Sequence, residues 1–263
     1  MRSTILLAGI AAAAMLAPAN AATVIEFRNV QGQWYDAVAA GPNTNATYAN
    51  NAATGNATVR WGTGNPRSGY DFSTSSSDPS MSVDLGSPSA GTVIGDFKHL
   101  NYVIGNNTGI TAVSLKFNTD VYVDGNFLQN VTFYYDFEHW ETTNSGTTCA
   151  NGGRNNRGVN ANGCADRVKV NFNSQSDGFQ IDNYVYALDI MGFIADGQEV
   201  SEFWTKEEAT NKAQILGRVA LYEELVPSVP GVPEPAAWAL MLTGFGLVGL
   251  TARRRRETSS TTA

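Results

Sequence analysis

"TAVSLKFNTDVYVDGNFLQNVTFYYDFEHWE" (residues 111–141) decides the fold. Apolar residues alternate with polar ones through Val113, Leu115 and Phe117, and again through Val131, Phe133, Tyr135 and Phe137. A side chain returning to the same face every second residue marks a half-buried strand. Between the two runs stands Asp124-Gly125, a dipeptide that favours a tight hairpin because both positions accept positive φ. The stretch therefore reads as two long antiparallel strands.

Working outward, the same texture recurs in "TVIEFRNV", "ATVRWGT", "MSVDLG" and "TVIGDFKHLNYVI" on one side. On the other side come "DRVKVNFN", "GFQIDNYVYALDIMGFI", "EVSEFWT" and "ILGRVALYEEL". Gly, Asn, Asp and Ser clusters separate the runs. Only "KEEATNKA" (206–213) suggests a helix, of about two turns at 3.6 residues each. About ten short strands with no helices between them predict an all-β chain, an antiparallel β-sandwich of jelly-roll-like type. No internal linker divides residues 22–225, which read as one domain.

Both ends carry a different texture. Arg2, the apolar run "ILLAGIAAAAMLA" (5–17) and "ANA" (19–21) have the three parts of a secretory signal peptide, with a mature start at Ala22. The apolar run is too short to span a bilayer. After Leu225, "VPSVPGVPEP" (226–235) is a stiff, extended spacer rich in proline. Residues 236–252 are mostly apolar and at the lower limit for a spanning helix. Arg253, Arg254, Arg255 and Arg256 follow at once, and the tail (253–263) would stay in the cytoplasm. The plain reading is a single membrane anchor. The sharper reading is a transient stop, held until a processing enzyme removes it.

Net charge over the whole chain is −7. Setting aside Arg2, the four tail arginines and Glu257 leaves 12 basic residues against 23 acidic ones, a balance of −11. Such a body has no electrostatic reason to bind nucleic acid. A cation or a neutral polymer suits it better. Cys149 and Cys164 are the only cysteines, both in the polar segment "TTCANGGRNNRGVNANGCADR". In an oxidising compartment they would close a loop that has little else to hold it. Free thiols or metal ligation are the alternatives, though no CxxC or nearby histidine supports zinc there.

Val232, Pro233, Glu234 and Pro235, then an apolar helix, then four arginines, resemble the PEP-CTERM sorting signal. That resemblance implies an exosortase-type membrane processing enzyme as partner, a Gram-negative source that makes exopolysaccharide, and delivery to the surface or matrix. The body is similar to a second group. "FKHLNYVIG" (97–105) looks like the histidine-x-asparagine segment of the THxN class, with Lys98 at the threonine position. "FEHWETTN" (137–144), the cysteine pair with "CAD", and "YALDIMGF" (186–193) resemble the choice-of-anchor K domain. Both resemblances imply an exported accessory domain and carry no established activity.

The candidate site residues are few. His99 and His139 are the only histidines. Alternation puts Phe97, His99 and Asn101 on one face of their strand, and Phe137, His139 and Glu141 on one face of theirs. Strands lying side by side would bring two imidazoles, an amide and a carboxylate together, as a polar network or a metal site at His99, His139 and Glu141. The network is the expectation, with no cofactor. Asp136 and Glu138 share the opposite face, about 6–7 Å apart by strand rise, a spacing compatible with a glycosidase pair. Asp120, Asp124, Asp177 and Asp182 lie near turns, without a calcium-loop pattern. Trp34, Trp61, Trp140 and Trp204 could fill the core or line a sugar-binding face. No nucleophile elbow, HExxH or P-loop is present. The expectation is a non-enzymatic surface or matrix protein associated with exopolysaccharide. The alternative is a secreted carbohydrate-active enzyme, or a carbohydrate- or metal-binding module.

Overall fold

A computed structural model describes residues 22–172 and 176–225. The expected signal peptide (1–21), linker with its VPEP motif (226–235), sorting helix (236–252) and basic tail (253–263) lie outside the described residues. Among the described residues no helix is long and apolar enough to cross a membrane.

The strands in chain order are β1 (Thr23–Ala39), β2 (Thr47–Asn51), β3 (Asn56–Trp61), β4 (Ser68–Thr74), β5 (Ser80–Val83), β6 (Thr92–Asn101) and β7 (Ile110–Val123). Then follow β8 (Asn126–Trp140), β9 (Asp166–Phe172), β10 (Phe179–Ile181), β11 (Tyr184–Ala195), β12 (Gln198–Val200), β13 (Glu202–Thr205) and β14 (Ala209–Glu224). One sheet runs β13-β9-β8-β7-β1-β5. The other runs β10-β11-β14-β6-β4-β3-β2, with β12 added beside β11. Every pairing is antiparallel. The all-β sandwich stands as read.

The opening stretch is β7 and β8. Asp124 and Gly125 both take positive φ, 48° and 78°, and the strands pair from Val123–Asn126 outward. Val113, Leu115, Phe117 and Val121 point inward from β7, and Val131, Phe133, Tyr135 and Phe137 from β8. Rings meet across the two sheets: Phe72 lies 4.7 Å from Phe117, and Phe97 lies 5.6 Å from Phe137. Such contacts add to the burial of each ring. Trp34 of β1 joins this layer, 5.0 Å from Phe137 and 5.5 Å from Tyr70.

Three local readings change. β1 continues to Ala39, well beyond Val30, because Asn29 and Asp36 take left-handed backbone at φ 55° and 48°. These residues stand at register breaks against β7, so the strand bends and continues as bulged β-structure. Two strands went unread: β2, whose five residues are all exposed, and β4, whose Tyr70 and Phe72 alternate within a Ser/Gly/Asp setting. The helix expected over 206–213 is absent. Glu207 and Glu208 form a turn, Glu208 at φ 55°, and Ala209 opens β14 against β6. Pairing with a central strand overrides the modest helix propensity of Lys, Glu and Ala.

Candidate functional site

His99 and His139 do meet, but not through strands lying side by side. His99 is on β6 and His139 on β8, in different sheets. Alternation turns each inward, and the rings face across the sandwich interior, centroids 5.2 Å apart and edge-on. Trp61 packs on both, 5.9 Å from His99 and 5.1 Å from His139. Asn101 is buried beside His99, and Glu141 is half-buried just beyond β8.

Two acids join that were not singled out in the sequence. Asp166 opens β9 and sits opposite Thr205 of β13. Glu207 lies in the turn after β13. Both are fully buried. The alternation Asp166, Val168, Val170 was the available signal for the first, since the two valines are core residues. The helical reading of 206–213 concealed the second.

Thr205 Oγ1 lies 2.8 Å from Nδ1 of His99 and 3.2 Å from the Asp166 carbonyl, while Nε2 of His99 has no partner. Burial holds the His99 pKa well below the usual histidine range, so the ring is neutral. His139 bonds Tyr70 Oη through Nδ1 at 2.7 Å and Glu141 through Nε2 at 3.2 Å. Burial pushes its pKa down to about 4, against the pull of Asp166. Asp166 Oδ1 accepts from the Thr142 backbone at 2.7 Å.

The carboxylates move the other way. Burial, then the charge of Glu141, pushes Asp166 up to about 8. Burial raises Glu141 to about 7, and burial with the Glu141 charge raises Glu207 to about 7. Asn101 and Asn144 sit near Glu207 and pull the other way, without hydrogen-bonding geometry to either oxygen. Asp166 Oδ2, both Glu207 oxygens, Asn101 Oδ1, Trp61 Nε1 and His99 Nε2 are buried without a hydrogen-bond partner. One ring nitrogen of His139 and one oxygen each from Glu141 and Asp166 lie within 4.8 Å of one another, a set able to hold a metal ion.

The cysteine loop shapes this end of the fold. Cys149 and Cys164 form a disulfide, two residues before Asp166. Inside the loop, Asn160 Oδ1 accepts from Ala165 N at 2.9 Å, and Asn160 and Asn151 exchange side-chain bonds. Thr142 Oγ1 donates to the carbonyl of Cys164 at 2.9 Å. Asn162 donates to the Glu207 carbonyl at 3.0 Å. Gly163 is required by close approach: a Cβ there would meet Asn144 Oδ1 at 2.4 Å and Glu207 Cγ at 3.1 Å. A surface pocket of about 130 Å³ beside the disulfide is lined by Trp140, Glu141 and Thr142 among others.

The tryptophans divide. Trp34 and Trp61 are fully buried and belong to the core, so they line no sugar-binding face. Trp140 is 46% exposed and pairs across strands with Arg167, which pairs in turn with Trp204. The two indoles stand 6.3 Å apart, and the Arg167 guanidinium lies 5.0 Å from the Trp140 ring centre. This ladder crosses β8, β9 and β13 on the outer face, behind His139 and Asp166.

The other acids have local duties. Asp136 and Glu138 share the outer face as expected, Asp136 accepting from Ser114 at 2.8 Å and Glu138 from Asn171 at 2.6 Å. Asp120 accepts from Asn29 and Asn130, bonds that hold its pKa below the usual carboxylate range. Asp124 accepts from Val24 N and Asp177 from Thr132 N. Asp182 takes positive φ in the β10–β11 turn. No protein-family model matches the chain, and no curated protein matches it.

Proposed function

We propose that this chain is an exported cell-surface or extracellular-matrix protein that holds a neutral polysaccharide without cleaving it. Delivery would run through the C-terminal tail, read as a PEP-CTERM-type signal and processed by an exosortase-type membrane enzyme. Val232-Pro-Glu-Pro, the apolar segment and the four arginines support that half of the reading. The disulfide fits an oxidising destination.

The observation that carries the binding half is the Trp140–Arg167–Trp204 ladder. Indole faces give apolar contact to the C–H face of a sugar ring. An arginine between them adds guanidinium donors for hydroxyl groups beyond the one it gives Glu202. A body with a balance of −11 would repel acidic polymers, which favours a neutral one. Trp140→Ala and Trp204→Ala are each expected to weaken retention in affinity gels containing neutral polysaccharide by about tenfold, a single-anchor loss of about 1.4 kcal/mol. Lys98→Ala, on another sheet, should migrate as the wild type. Retardation that persists in the Trp140/Trp204 double variant would remove the ladder from the reading.

A further inference from the structure

We infer that this end of the sandwich interior is a binding site for one divalent transition-metal ion, held by Nε2 of His139 and the carboxylates of Glu141 and Asp166. The donor atoms already cluster within 4.8 Å. Ligands bound tetrahedrally to one ion at about 2.1 Å stand about 3.4 Å apart, so the set closes by at most about 1.4 Å, and Nε2 of His139 is already 3.2 Å from Glu141.

A second observation points the same way. Asp166 Oδ2, the whole Glu207 carboxylate and Nε2 of His99 are buried beside this cluster with no partner. Buried polar groups are satisfied as a rule, and buried carboxylates are paired or bound to metal. Among the described residues no lysine or arginine pairs with Asp166 or Glu207; Arg167, next in sequence to Asp166, turns outward to Glu202. A dication supplies the positive charge that the fold does not.

The donor set selects the ion. Calcium takes six to eight oxygen ligands, and an imidazole is out of place in such a shell. One imidazole with two carboxylates suits Zn²⁺ or Mn²⁺, and the affinity order puts Zn²⁺ first. Nδ1 of His139, on Tyr70 Oη, is where a metal-binding histidine carries its proton, and that bond orients the ring. Glu141 provides the way in, because its side chain is 29% exposed and lines the pocket beside the disulfide. The ion would fasten the start of β9 to the end of β8.

The full-length protein, stripped with chelator and dialysed against ZnCl₂ or separately MnCl₂, tests this. The wild type should retain about one ion per chain, as a single-ion site requires, and unfold at a higher temperature than the stripped form. Glu141→Gln, at a half-exposed position that leaves the core intact, should weaken binding at least about tenfold, and Asp166→Asn should do the same. Asp120→Asn, outside the cluster, should bind as the wild type. Wild-type protein that retains no ion and shows no thermal shift overturns the inference. So does binding unchanged in both Glu141→Gln and Asp166→Asn.

Discussion

Trp34→Ala is expected to remove about 3–5 kcal/mol of stability, a large share of what a single domain has. The ring is 1% exposed and bridges the sheets, touching Phe137 on its own sheet and Tyr70 and Phe97 on the other. Its Nε1 also donates to the Ala57 carbonyl at 3.2 Å, so truncation leaves a cavity and takes away a donor. Trp140→Ala is the matched contrast. Its ring is half outside the fold, and the cost should be under about 1 kcal/mol. Denaturant midpoints of the two variants separate core tryptophan from surface tryptophan. Equal losses would place Trp140 in the core and leave no exposed platform.

Replacing Cys149 and Cys164 with serine should cost about 3 kcal/mol, from the chain entropy regained by a loop of about 15 residues in the unfolded state. The separation is 15 residues, and the segment between them is held by backbone turns, by the Asn151–Asn160 pair, and by Asn155 bonding the carbonyls of Asn144 and Gly146 outside it. The loss should reach past the loop. Asn160 holds Ala165 N, and Ala165 precedes Asp166, so the backbone presenting the buried carboxylate loses a support and the Thr142 bond to Asp166 Oδ1 is left to hold it. Urea unfolding of the double variant, beside wild type with and without reductant, checks both points. A midpoint unchanged by either treatment would mean the loop stands without its staple.

Much of this was legible in the sequence, for identifiable reasons. The Asp124-Gly125 hairpin and the alternation on either side of it were local signals, and local chemistry decided them. Alternation also put His99 on the face of Phe97 and His139 on the face of Phe137, and both faces turn inward. It could not say whether they would meet as strand neighbours or across two sheets, because that depends on sheet order. Asp166 carried a readable signal in its valine-matched periodicity. Glu207 carried none, since its burial comes from the disulfide loop packing over a turn that read as helix. Tyr70 was missed with β4, whose Ser, Gly and Asp look like loop until its partner β6 is in place. The tryptophans could not be sorted by residue type alone; strand register did that.

Delivery to the surface is the central claim, and the intact mass of the mature protein from its native cells tests it most directly. The expected mass lacks residues 1–21, lacks Arg253, Arg254, Arg255 and Arg256, and carries one disulfide. Most of the mature protein still bearing those four arginines would contradict it, and the C-terminal segment would then be an ordinary membrane anchor.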